Sequence, residues 1–261
     1  MSKSCYHHRM ETDFTPPTRP SEQPLSELDI LLEDGPLIAV NKPAGLLTQG
    51  VPHAQPSLEG RVKAYLKQKL AKPGNVYLGV PHRLDRPVSG IVIFAKNSKA
   101  AARLAEQFRE RSIQKIYLAV TETVPIPSEG RLVDWLLKDA EAAHVSVVSE
   151  GTEGARQAVL DYAVIAVKDG RALIQIELHT GRMHQIRVQL ASREWPIIDD
   201  RQYGATLSSE QEANYDPQKS PIALHARRLV LKHPVRYDEI RLEAPVPPAW
   251  SRFGFVLPKG M

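Results

Sequence analysis

The chain has 261 residues, 25% charged and 42% hydrophobic, with 34 basic and 30 acidic side chains giving a net charge of +4. That length buries a full core in one domain, and the single cysteine, Cys5, excludes an intramolecular disulfide and a cysteine-based zinc cluster. No run approaches the ~18 apolar residues needed to span a membrane, and the first residues carry no apolar signal core. A cytoplasmic protein with no membrane partner is therefore expected.

Taken in chain order, Met1 to Glu27 mixes Pro, Ser, Thr and His and reads as a disordered tail. Cys5, His7 and His8 lie in it without metal-site spacing, so no metal is expected. Residues 28–261 read as the functional domain. Ile30 to Val40 reads as a strand, a turn at Asp34-Gly35-Pro36 and a second strand, stopped by Pro43 and Gly45. Leu58, Val62, Tyr65, Leu66 and Leu70 fall at helical spacing, with Arg61, Lys63, Lys67 and Lys69 on other faces. A second helix is expected after an N-cap at Ser98, with Ala101, Leu104, Ala105 and Phe108 inward and Arg103, Arg109 and Arg111 outward. Strands are expected at 91–94, 116–120, 145–148, 159–165 and 173–178, and a polar surface excursion at 206–220. Strands joined by short turns and interleaved with few helices predict an α+β fold with a mixed, mainly antiparallel sheet.

Charge is unevenly distributed. Thirteen Lys and Arg stand against three acidic residues between Arg61 and Ala119, the pattern expected where a phosphate backbone is steered into a site. Within this stretch Pro81-His82-Arg83-Leu84-Asp85-Arg86 places one carboxylate between two arginines, just before the apolar run Ile91-Val92-Ile93-Phe94. Flanking positive charge favours the ionised form of Asp85. With no second acid nearby in sequence, such a carboxylate suits nucleophilic work rather than a shared-proton pair. A plain surface ion pair accounts for this segment equally well. A second segment, Thr180-Gly181-Arg182-Met183-His184-Gln185-Ile186-Arg187, again crowds donors around a glycine turn after a strand-like run. There is no dinucleotide or nucleoside-triphosphate loop pattern, and no cofactor is expected.

Together the two segments resemble the H-R-L-D and T-G-R-x-H-Q-I-R signatures of the RluA family of RNA pseudouridine synthases. Further matches lie at Asn41-Lys42-Pro43-Ala44-Gly45, Lys115-Ile116-Tyr117, Leu224-His225-Ala226 and Ala244-Pro245, so the likeness spans roughly Leu28 to Pro247. It implies the same α+β architecture, without the small N-terminal RNA-binding module of some members. It also implies isomerisation of uridine within ribosomal or transfer RNA, by a monomer without a cofactor. Asp85 would be the nucleophile, adding to the uracil ring or attacking the ribose anomeric carbon. Arg187 would orient it, and Tyr117 would stack on the uracil and help remove the C5 proton. Arg83 and Arg86 would fill the space left by a flipped base or clamp phosphates, Arg182 and His184 would contact phosphates, and Lys42, at a further motif position before Pro43-Ala44-Gly45, would bind RNA or serve mainly to order the turn. Arg86-Pro87-Val88, Met183, Gln189 and Asp199 depart from the usual pattern, which bears on the RNA chosen rather than on the reaction. Two other readings share these residues: a non-catalytic RNA-binding or ribosome-assembly factor, and a glycoside-type hydrolase, which would need a second carboxylate.

Overall fold

The computed structural model describes residues 28–50, 56–71, 73–139, 141–216 and 219–256. The expected tail, with Cys5, His7 and His8, lies outside the described residues. Among the described residues ten strands form one sheet: Ile30–Asp34 (β1), Leu37–Lys42 (β2), Ser89–Ala95 (β3), Gln114–Thr121 (β4), Glu129–Lys138 (β5), Val145–Val148 (β6), Arg156–Lys168 (β7), Arg171–Leu178 (β8), Leu224–Lys232 (β9) and Glu239–Glu243 (β10). Their order is β1-β2-β3-β9-β4-β8-β7-β5-β6, with β10 added on β9, and among these strands of the described residues only β3 and β9 pair in parallel. The sheet is thus mixed and mainly antiparallel, and with its flanking helices it makes the α+β fold read from the sequence. Strands β5, β9 and β10 go beyond the sequence expectation: β5 alternates so weakly that eight of its ten residues are exposed or only half-buried.

Helices flank the sheet at Leu58–Lys69 (α1), Ser98–Arg109 (α2), Gln185–Ala191 (α3) and Ser209–Ala213 (α4). In β2 and β3 successive side chains enter opposite cores, as the two-residue strand period requires. Ile38, Val40, Val92 and Phe94 pack in the same core as Leu58, Val62 and Leu66 of α1, while Leu37, Ala39, Ile91 and Ile93 pack with Ala100 and Leu104 of α2. A strand covered on both faces must be apolar throughout, which accounts for the unbroken run before Lys96.

Three local expectations need correction. Leu70 is the C-cap of α1 and is 49% exposed, because the helix ends before that position turns inward. The N-cap of α2 is Asn97, whose side chain accepts from the Ala100 amide, and Ser98 is the first helical residue. Ala105 faces solvent, Ala100 is buried in its stead, and Arg103 lies along the molecule, donating to the Pro234 carbonyl and covering the Tyr237 ring. The 206–220 excursion carries α4, entered through a capping box at Ser208 and Gln211. Among the described residues no helix is long and apolar enough to cross a membrane.

Candidate active site

The parallel meeting of β3 and β9 sets the site. Gly90 pairs with Ala226, and Tyr117 of β4 pairs with the same Ala226 from the other side, so the turn leading into β3 and the middle of β4 are brought together. Gly90 has φ +116, and a Cβ there would lie 2.3 Å from the Ala226 carbonyl oxygen. Only glycine permits that approach. The turn carrying Asp85 is buttressed from the β2 end: Thr48 Oγ1 donates to the Leu84 carbonyl (2.8 Å) and accepts its amide (3.1 Å), and the Gly45 amide donates to the Arg86 carbonyl (2.8 Å). Opposite, the Thr180-to-Gln185 turn is closed by Gln185, whose Oε1 accepts from Thr180 Oγ1 and the Arg182 amide at 2.7 and 3.0 Å. It delivers His184 and Arg187 at the start of α3. Between these walls lies a cavity of about 560 Å³, lined by Asp85, Tyr117, His184 and Arg187 and edged by Arg83, Arg109, Arg111, Lys115 and Arg182.

Arg187 is the electrostatic centre. It is 4% exposed and binds Asp200 through two short hydrogen bonds, Nε to Oδ2 at 2.6 Å and Nη2 to Oδ1 at 2.7 Å, while its Nη1 lies 3.7 Å from Asp85 Oδ2. Gln202 accepts a third bond from Nη2 at 2.9 Å, and the guanidinium covers the Tyr203 ring at 4.8 Å. The hydrogen bonds and charge of Asp200, then the charge of Asp85, outweigh burial and raise its pKa. A buried guanidinium shared between two carboxylates is fixed in place and in charge. Asp85, by contrast, keeps 32% of its side chain open to the cavity. Tyr117 remains a phenol, its pKa raised by burial and then by the charge on Asp85.

Several expected roles change. Arg187 lies in α3. The flanking arginines are not the partners of Asp85: Arg86 Nε turns back to the Gly45 carbonyl at 2.8 Å, while Arg83 stays exposed on the rim. Lys42 is fully buried and offers RNA no surface. Its Nζ donates to the Pro43, Leu46 and Arg86 carbonyls at 3.1, 2.8 and 3.2 Å, so it orders the turn beside Asp85. Burial pushes its pKa down to about 7, against the pull of Asp85. His184 points into the cavity with its Nε2 3.8 Å from Asp85 Oδ2. Arg182 is half-buried, with Nε bound to the Gln157 carbonyl at 3.1 Å, and edges the cavity. On the basic face of α1, Lys63 pairs with Glu59 and Lys69 with Glu33. Asp200 and Tyr203-Gly204 keep the Asp and Tyr-Gly of the family pattern, with Asp199 departing from it, but nothing in the sequence assigns either residue a place at the site. Arg109 and Arg111 are visible there as outward cations of the second helix and the basic stretch, and Lys115 in the Lys115-Ile116-Tyr117 match, but none is assigned to the cavity.

The family of RNA pseudouridylate synthases matches residues 36–192 of the chain. The chain is 32% identical over 234 residues to tRNA pseudouridine synthase C of Pasteurella multocida, spanning 85% of this chain and 93% of that protein. Over 224 residues it is 30% identical to ribosomal large subunit pseudouridine synthase C of Rickettsia bellii, spanning 85% and 70% respectively. Among solved structures, human RNA Pseudouridylate Synthase Domain Containing 4 aligns with a TM-score of 0.72 at 25% identity, over 88% of this chain and 94% of that one. Fold and relatives together define an isomerase that acts on RNA. The chain belongs to the RluA family of RNA pseudouridine synthases.

Proposed function

We propose that the protein converts specific uridines of ribosomal or transfer RNA to pseudouridine, with Asp85 as nucleophile. The observation that carries this reading is the asymmetry of the two carboxylates at Arg187. Asp200 is 1% exposed and bidentately bound, whereas Asp85 is held only through Oδ2 and is open to the cavity. Oδ1 has no partner among the described residues and is the atom free to attack. In the ribose route it bonds to C1′ as the C1′–N1 bond breaks and its electron pair passes to N1. The base turns over, C5 bonds to C1′ with return of the pair to Asp85, C5 gives up a proton and N1 gains one. Adding Asp85 to the uracil ring uses the same oxygen. Because Asp200 is buried and bound, it does not supply the second carboxylate that hydrolysis requires.

In this reading the target nucleotide is extruded from its stack, at a cost of a few kcal/mol. Tyr117 gives back part of that through stacking, worth ~1–3 kcal/mol. Being held as a phenol, it supplies its face more readily than a base for the C5 proton. The rim cations meet the flanking phosphates, and the relatives' names favour ribosomal or transfer RNA. The cleft is complete within one chain, which favours a monomer, and we place it in the cytoplasm. The test is pseudouridine mapping of total RNA from cells lacking the gene, complemented with wild type or Asp85→Asn. Sites that vanish on deletion and return only with wild type are expected; identical maps in all three strains would sink the proposal.

A further inference from the structure

We infer that His184 is a positioning residue for Asp85: with its tautomer set by Tyr203, its Nε2–H shares Oδ2 with Arg187 and so turns Oδ1 toward the nucleotide. The inference rests on the reading of Asp85 as nucleophile. Two donors from one short helical segment converge on a single oxygen, Arg187 Nη1 at 3.7 Å and His184 Nε2 at 3.8 Å. Both separations exceed a hydrogen bond, and contacts of this kind commonly tighten when substrate fills a site. Holding one carboxylate oxygen from two directions removes rotation of the carboxylate about its Cβ–Cγ bond, the motion that would carry the attacking oxygen away.

The backbone is committed to this placement. His184 has φ 51 and ψ 20, left-handed values unusual for a residue with a side chain, at the N-cap of α3. Its imidazole makes no capping bond there, so helix capping does not account for the conformation. Strain of this kind is retained where a side chain must be aimed. What it is aimed by is Tyr203. The Tyr203 hydroxyl lies 2.8 Å from His184 Nδ1 and accepts the Val145 amide at 3.1 Å. A phenol has one hydrogen to give, and among the described residues Nδ1 is the only acceptor within its reach. Nδ1 therefore accepts, and the ring hydrogen resides on Nε2, facing Asp85. Burial lowers the pKa of His184 and raises that of Tyr203, which keeps imidazole and phenol both neutral. The charged groups facing the ring are Asp85, Arg187 and Asp200, with His144 nearby.

The first test is made on the wild-type protein, where imidazole 15N shifts distinguish the tautomers. A protonated Nε2 at His184 is expected, and a protonated Nδ1 overturns the inference even if no variant folds. The second compares single-turnover and steady-state rates of His184→Ala, His184→Gln and Tyr203→Phe on ribosomal and transfer RNA purified from cells lacking the gene. His184→Ala should lower kcat on the order of 10²-fold with KM nearly unchanged, and glutamine, which restores an N–H, should recover part of it. A rise in KM at unchanged kcat would return His184 to a phosphate contact and refute positioning. Asp85→Asn in the same assay separates the two failures: if it stays active the nucleophile reading falls, whereas an inactive Asp85→Asn beside a full-rate His184→Ala removes only the role given to His184.

Discussion

On the floor of the cleft Arg187 is 4% exposed and serves two carboxylates at once, while on the rim Arg83 and Arg111 stand in solvent and Lys115 half-buried, with no carboxylate partner among the described residues. Both regions are cationic, yet they do different work. A buried charge must be matched within the fold, so the floor is a closed network whose geometry is set before substrate arrives. An unmatched charge beside a cavity costs little while it is wet and becomes useful when a polyanion supplies the missing counter-charge. The floor should therefore govern rate and stability, and the rim affinity and its dependence on salt.

The sharpest way to break that division is Asp85→Asn, which keeps the shape of the side chain and removes its nucleophilic oxygen. Product formation should fall on the order of 10⁴-fold or more, as for other covalent nucleophiles, while RNA affinity in a filter-binding assay stays within about twofold, because no rim charge is touched. Next comes Arg187→Gln, which strands Asp200 at 1% exposure without its partner. Breaking a buried pair from one side costs ~3–5 kcal/mol, so urea unfolding should show a loss of that order together with lost activity. Arg83→Gln should leave the stability within ~0.5 kcal/mol of wild type. Equal destabilisation by the two changes would erase the distinction between floor and rim.

How far the sequence disclosed this arrangement differs between the same two regions. Asp85, Tyr117 and Arg187 lie in local patterns: a punctuated turn, an apolar strand and a donor-rich glycine turn. Their convergence is non-local, produced by the Gly90–Ala226–Tyr117 alignment across three strands that are far apart in the chain. For that reason the residues beside Asp85 offer Arg83 and Arg86 as its counter-charge, and only the family resemblance points to Arg187, which the fold brings to 3.7 Å from it. The pairing of Asp200 with Arg187 is not legible because a 3-10 turn at Arg201–Tyr203 brings Asp200 back onto α3, a contact no periodicity records. Lys42, at the end of β2, shows the opposite limit: its motif position leaves RNA contact and turn ordering both open, and only the three carbonyls converging on it reveal an interior cation. Residues 156–168 and 171–178 are legible as strands because β-branched and aromatic side chains recur along them, but β5 is not, for want of a continuous buried face.

Effects on the rim should be smaller and should appear as binding. Arg83→Gln, Arg111→Gln or Lys115→Gln should each weaken RNA binding several-fold at low salt. Each should also reduce the slope of log affinity against log salt by about 0.7 to 0.9 for every phosphate the side chain neutralises, with kcat at saturating RNA little changed. Lys115 adds a pH signature that the arginines lack. Burial, then the charge on Arg111, pushes its pKa down from 10.5 to about 8. A phosphate brought against the ammonium raises that pKa, so above pH 8 binding must be accompanied by uptake of a proton, and affinity should decline between pH 8 and 10. The decline is not unfolding caused by this group. Over the same window the unfolded chain holds the proton more tightly than the folded one, so the contribution of Lys115 to folding stability rises with pH. Lys115→Arg, whose charge persists throughout, should flatten the affinity profile while leaving the neutral-pH value within about twofold. A profile that falls equally in wild type and Lys115→Arg would place the titrating group elsewhere and take Lys115 off the rim.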